Sequence, residues 1–225
     1  CLVGVGVQST VVDGFTLQNG FTGENGGGYV GIEMDNTNEV RNLLMQNCEA
    51  ASGGGISFTS SQVILEDCVI DACESSGDGG NGRFETCTGM TVDRCTFSNG
   101  TGGGQAGGVI AGWGDTTFID CSFIGNSTGN GGGGLFYIAG NAVLDGCAFD
   151  GNSAGWIGGG LALWDSGAWT VTGCEFRNNT CDAGGGLAAW TSTVSVTDCL
   201  FSGNAGFNGS AAALWDLQGA TVSDC

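Results

Sequence analysis

The sequence predicts an all-β parallel β-helix, a β-solenoid of about eight coils with ~26 residues in each. Three observations predict it. Seven cysteines, Cys68, Cys95, Cys121, Cys147, Cys174, Cys199 and Cys225, recur at gaps of 27, 26, 26, 27, 25 and 26 residues. Apolar and polar residues alternate with period two on both sides of each cysteine, as in short strands. Glycine runs punctuate the chain, proline is absent, and no segment sustains a helical period.

Each element follows from the stacked lines. Three residues before the cysteine stand Leu65, Val92, Phe118, Leu144, Val171, Val196 and Val222, which predicts one inward strand position. The residue just before the cysteine is Asp67, Arg94, Asp120, Gly146, Gly173, Asp198 or Asp224. Asp and Gly tolerate left-handed backbone, so a tight bend is expected there. Ile70, Phe97, Phe123, Phe149, Phe176 and Phe201 then begin a second strand and point inward. GGGI (53–56) and GGGL (132–135, 158–161, 184–187) open a third. Two upstream coils degenerate: VVDGFTLQNG (11–20) has Gly14 at the cysteine position, and VRNLLMQNC (40–48) has Leu43 there. With strands ~4.8 Å apart, the body would be roughly 40 Å long. Residues 1–225 read as one β-helix domain, expected to be part of a longer solenoid because Cys225 falls in mid-repeat.

Gly-Gly-x-aliphatic combined with Phe-x-x-Asn (Phe123–Asn126, Phe149–Asn152, Phe176–Asn179, Phe201–Asn204) resembles the repeat of chlamydial polymorphic outer membrane proteins. VVDGFTLQNG is similar to right-handed β-helices of the pectate-lyase type. The resemblance implies a right-handed coil and a surface-displayed passenger with an adhesive or structural role, and it implies no catalytic residue.

Composition narrows the function. Asp and Glu number 23 against four Lys and Arg, with no His, for a net charge of −19. Such a chain does not neutralise phosphates, which excludes nucleic acid and anionic membrane surfaces. No apolar run reaches the length of a membrane-spanning helix. Twelve cysteines in an acidic, lysine-free chain favour an oxidising, extracellular or cell-surface setting.

Stacked coils turn repeated residues into ladders. The cysteine ladder admits two readings, buried apolar fillers or disulfides between coils, and the first is preferred because parallel neighbours need not present the required torsion. Cys48 and Cys73 replace, in adjacent coils, a residue that is Asn elsewhere, and are the disulfide candidates. Cys1, Cys87 and Cys181 have no evident partner. Asn19, Asn126, Asn152, Asn179 and Asn204 form an expected amide ladder. Trp164, Trp190 and Trp215 fall on one outward row, with Trp113 one residue off it, and make the candidate contact surface. Asn99, Asn126, Asn178 and Asn208 lie in glycosylation sequons.

Asp67, Arg94 and Asp120 are expected to stack as an acid–base–acid triplet. Asp115, Asp165 and Asp216 are candidate Ca2+ ligands, though no spaced acidic loop accompanies them. Outward Thr170-Thr172, Ser195-Thr197 and Thr221-Ser223 resemble the threonine grid of insect ice-binding β-helices, but Val143-Asp145 and Thr117-Ile119 break it. No resident cofactor is expected.

The leading expectation is therefore a non-enzymatic structural or adhesive solenoid, displayed on a surface or stacked end to end into a filament. Self-association, end-to-end or lateral, and a glycan or host-surface ligand are the expected partners. A polysaccharide-binding or polysaccharide-degrading β-helix is the alternative, and ice binding a remote one.

Overall fold

The computed structural model describes residues 2–165, 167–191 and 193–225. Cys1 lies outside them. Among the described residues every strand pairing is parallel, in four sheets of nine, nine, eight and seven strands, and register is kept except at a bulge between Thr88 and Met90. No helix is long and apolar enough to cross a membrane among the described residues.

One coil shows the plan. Strand Leu135–Ile138 belongs to the first sheet, A, and Ala142–Asp145 to the second, B. Ala148–Asp150 belongs to the third, C, and Ser153–Ala154 to the fourth, D. Leu161–Trp164 then re-enters sheet A beside Leu135–Ile138. The coil thus has four strands where three were expected. The fourth is only two residues long, too short for an alternation signal.

Single left-handed residues turn the four corners, as at Ala139 (φ +48°), Gly146 (+65°), Gly151 (+66°) and Gly158 (+59°). The bend before the cysteine is where the sequence places it: Asp67, Arg94, Asp120, Asp198 and Asp224 have φ between +49° and +53°. In the degenerate first coil Gly14 (+75°) is itself the bend residue. Register then puts Phe15, not Gly14, in the cysteine row.

Inside, identical residues stack. Phe97, Phe123, Phe149, Phe176 and Phe201 form one column with ring centroids 5.3, 4.7, 4.9 and 4.8 Å apart. Each such pair contributes about 0.5–1.5 kcal/mol beyond area burial. Leu65, Val92, Phe118, Leu144 and Val171 are 0 % exposed on sheet B. The glycine run is a requirement of this stacking. A Cβ on Gly133 would lie 2.3 Å from the Gly159 carbonyl oxygen, and one on Gly159 2.5 Å from that of Gly185.

Candidate contact surface

The outer face of sheet A carries large side chains that the core does not use. In Leu161–Trp164, Leu161 and Leu163 are 0 % exposed and face inward, so alternation sends Ala162 and Trp164 outward. Register places Trp164 beside Trp190 and Trp190 beside Trp215. Their ring centroids are 5.3 and 5.4 Å apart. A fourth indole, Trp156, reaches in from the segment after Ser153–Ala154 and lies 5.1 Å from Trp164.

This ladder is half-buried. The segments that lead from sheet D back to sheet A fold over the outer face, and Ala106, Ile157 and Ala183 there form a second apolar cluster with Ile110, Phe136, Ala162 and Ala188. Trp164 and Trp215 pack against that cluster. Trp113 stands apart. Gly112 holds the ladder position in its coil, and Trp113 turns the next corner at φ +55°, half exposed.

Acids rim the ladder. Asp165 (φ +72°) and Asp216 (+48°) directly follow Trp164 and Trp215 at the sheet A to B corner. On the opposite edge, Trp156 and Asp182 each precede the bridged pair Ile157 and Ala183. Phe207, 91 % exposed, precedes Asn208 in the next coil of that row.

The amide ladder is real but begins elsewhere. Asn126 Nδ2 donates to Asn152 Oδ1 (3.0 Å), Asn152 Nδ2 to Asn179 Oδ1 (2.9 Å), and Asn179 Nδ2 to Asn204 Oδ1 (3.0 Å). Asn19 is instead the left-handed corner residue (φ +53°), displaced by the same one-residue shift as Gly14. Upstream the ladder continues through Asn81, whose Nδ2 donates to Asn126 Oδ1 at 2.9 Å. Asn81 occupies a glycine position of the run, and Gly100 occupies the amide position, so the two residues have exchanged places. Spacing alone gave no signal for that exchange.

The cysteine column is buried from Cys68 to Cys199, and Cys225 is exposed. Each thiol donates to the carbonyl two residues earlier across the bend, as Cys121 does to Ile119 O at 3.3 Å. Cys48 and Cys73 sit on adjacent rungs as free thiols and are not bridged, against the expected pairing. Hydrogen bonding from Cys73 lowers the Cys48 thiol to about 6, while the same contact and burial push Cys73 up. Cys87 is buried at the A to B corner, where desolvation pushes its thiol up to about 11. Cys181 is half-buried and donates to Ala183 O.

Other expectations are redrawn. Asn126 is 0 % exposed and fully hydrogen-bonded, so this sequon cannot carry a glycan in the folded coil. Asn99, Asn178 and Asn208 are exposed. Asp67, Arg94 and Asp120 stack on adjacent bends as expected, but Arg94 clamps Asp67 (2.9 Å), Glu66 and Asp93 and makes no ion pair with Asp120. The Asp67 side chain, followed by that of Glu66, raises the Arg94 pKa further. Asp165 and Asp216 lie two coils apart with Thr191 between them, and Asp115 sits on the following strand accepting from Asn141. The three are not gathered, and no cluster fit for a metal occurs among the described residues. Thr170, Ser195 and Thr221 are in register, as are Thr172, Thr197 and Ser223.

No curated protein and no solved structure matches the chain. A family model described as "Right handed beta helix region" matches residues 83–225, more than half of the 225 residues. The matched span holds the stacked Phe column, the Cys column from Cys95, the Asn column from Asn126 and the tryptophan ladder. With its parallel four-sheet coil, the chain belongs to the right-handed beta helix family.

Proposed function

We propose that this chain is a non-enzymatic solenoid displayed outside the cell, and that it adheres through the outer face of sheet A. The observation that carries the reading is the ladder of four indoles with centroids 5.1–5.4 Å apart. Soluble monomers seldom display a contiguous apolar patch of this kind without a partner. The resemblance to surface-displayed passengers supports the same setting.

One detail favours a protein-like contact over sugar stacking. Trp164 and Trp190 are inclined by only 30°, so neighbouring rings cover much of each other's faces. The ladder therefore offers a continuous apolar ribbon and few free ring faces. A binding role is favoured over catalysis because acid/base chemistry needs two differently tuned groups free to face one groove. The cleft of about 160 Å³ along Ala148 and Ile124 holds Asp150 and Glu175. There Glu175 is ion-paired with Arg177 at 2.9 Å and Asp150 accepts from Asn178 at 3.0 Å.

End-to-end filament growth is disfavoured by one local feature. Ser210 and Ala211 stand where earlier coils carry Gly185 and Gly186. On those glycines a Cβ would meet the next coil's carbonyls at 2.6 Å. A coil stacked in register on Ser210 and Ala211 would have to shift away.

The test is adhesion of beads coated with purified chain to cultured cells and to immobilised glycans. Replacing Trp164 and Trp190 by Ala should abolish cell adhesion while leaving the circular dichroism of the coil intact. Unchanged adhesion by the double variant would overturn the reading.

A further inference from the structure

The ladder's surroundings point to the chemistry of its partner. Its rim contains Asp165 and Asp216 on one side and Asp182 on the other, and no basic residue follows Arg177 in the sequence. The whole chain has four arginines, and each is engaged in an ion pair. Arg41 binds Asp13 and Glu39, Arg83 binds Glu85, Arg94 binds Asp67, and Arg177 binds Glu175. The molecule therefore brings no cation of its own to the ribbon. A second copy does not supply one either, because it carries the same −19 charge and the same paired arginines.

Resting on the adhesive reading above, we infer that the ribbon docks a cationic, extended peptide segment of another protein, rich in Arg or Lys with apolar residues between. The aliphatic stems lie across the exposed edges of the half-buried indoles, where they cover apolar surface and leave the charged heads in water. The charged heads reach Asp165 and Asp216 at one edge and Asp182 at the other. The ladder advances ~4.8 Å per coil along the axis, so its three in-register indoles span roughly 10 Å, the length of about three residues of one extended segment. Apolar residues of the segment cover the remaining indole surface and the exposed Phe207 ring. The charge also steers the encounter, so association should be fast at low salt and slow as salt rises.

The experiment titrates the purified chain with a short synthetic peptide alternating Arg and Leu, and with its counterpart alternating Gln and Leu, following tryptophan fluorescence and calorimetry at two salt concentrations. The Arg peptide should bind about ten-fold more tightly than the Gln peptide, the scale of three exposed ion pairs at about 0.5 kcal/mol each. Asp165→Asn, Asp182→Asn and Asp216→Asn together should remove most of that preference and flatten its salt dependence; Asn tolerates the left-handed corner, so the coil is kept. The matched control neutralises Asp120, Asp198 and Asp224 to Asn at the B to C corner and should leave binding nearly unchanged. Equal weakening by both triple variants would show a general attraction to an acidic surface and overturn the site. Equal binding of both peptides, lost in Trp190→Ala, would overturn the cationic partner and keep the adhesive ribbon. Binding of neither peptide would overturn the inferred partner, and the bead assay then decides the ribbon on its own.

Discussion

Replacing Asn152 by Asp tests the interior ladder with a change of one atom and one charge. Asn152 is 0 % exposed. Its Oδ1 accepts from the Asn126 backbone N–H and side-chain amide, both at 3.0 Å. Its Nδ2 donates to Phe123 O at 2.8 Å and to Asn179 Oδ1 at 2.9 Å. In the Asp variant the second oxygen faces two acceptors. Ionised, it is a buried carboxylate without a cation; protonated, it has one hydrogen for two acceptors. Burial of this kind raises a carboxyl pKa by roughly 3 units or more. A carboxyl raised in the folded state keeps its contribution below the unfolded pKa and loses it as pH rises through the folded pKa. The variant should therefore be weaker by about 1–2 kcal/mol near pH 4, from the one acceptor left unpaired, and by about 4 kcal/mol more at pH 7. Asn152→Ala leaves the two Asn126 donors without their acceptor and should cost about 3 kcal/mol at both pH values. Asn178→Gly, at an exposed left-handed corner, should cost less than about 1 kcal/mol. Urea unfolding followed by tryptophan fluorescence measures all three. An Asp variant as stable as wild type at pH 7 would refute the ladder as a structural element.

Three further outcomes are expected. Asn81→Gly removes the acceptor of Cys73 N–H (3.3 Å) and the donor to Ser98 O (3.0 Å) and should cost about 2 kcal/mol in the same unfolding assay. Gly133→Ala, whose Cβ would lie 2.3 Å from Gly159 O, should cost about 3 kcal/mol by thermal melting, whereas Gly129→Ala, with nothing within 4 Å, should stay within about 0.5 kcal/mol. Because burial pushes the Cys87 thiol from 9.0 to about 11, deprotonation favours the unfolded chain; stability should fall on the order of 2 kcal/mol between those pH values, and Cys87→Ala should flatten the fall in urea midpoints measured across that range.

The coil was legible because its constraints repeat. Asp67, Gly146 and Asp198 are different residues, yet each tolerates the left-handed corner they all occupy, with φ between +52° and +65°. The Phe and Cys columns likewise report one inward position many times over. What failed was the part that repeats imperfectly. Ser153–Ala154 is too short to show alternation. Gly14 was assigned one residue out of register because Phe15, the residue in the cysteine row, is not a cysteine. Trp156 lies on a corner segment of irregular length, so no ladder in the sequence announces that it meets Trp164. The exchange of Asn81 with Gly100 needs two residues nineteen positions apart to be read together, and only the closed coil brings them near each other.

A coil in strict register multiplies any outward residue into a strip as surely as it does an inward one. Inward, that multiplication is constrained, because each ring and amide must fit its neighbour at the strand spacing of ~4.8 Å. Outward, no packing rule demands it. Sheet A shows the difference. Val30, Ser57, Arg83, Ile110 and Phe136 succeed one another in a single outward row without pattern. The adjacent row runs Ile32, Thr59, Glu85, Gly112 and Ile138 before settling on three tryptophans in succession. Aliphatic, polar, charged and glycine residues fill the row in the earlier coils without disturbing the strands. Three successive indoles on a face free to vary are therefore not dictated by the coil. That separation between what stacking requires and what it leaves free is the argument for proposing the ribbon, rather than the columns of the core, as the contact surface.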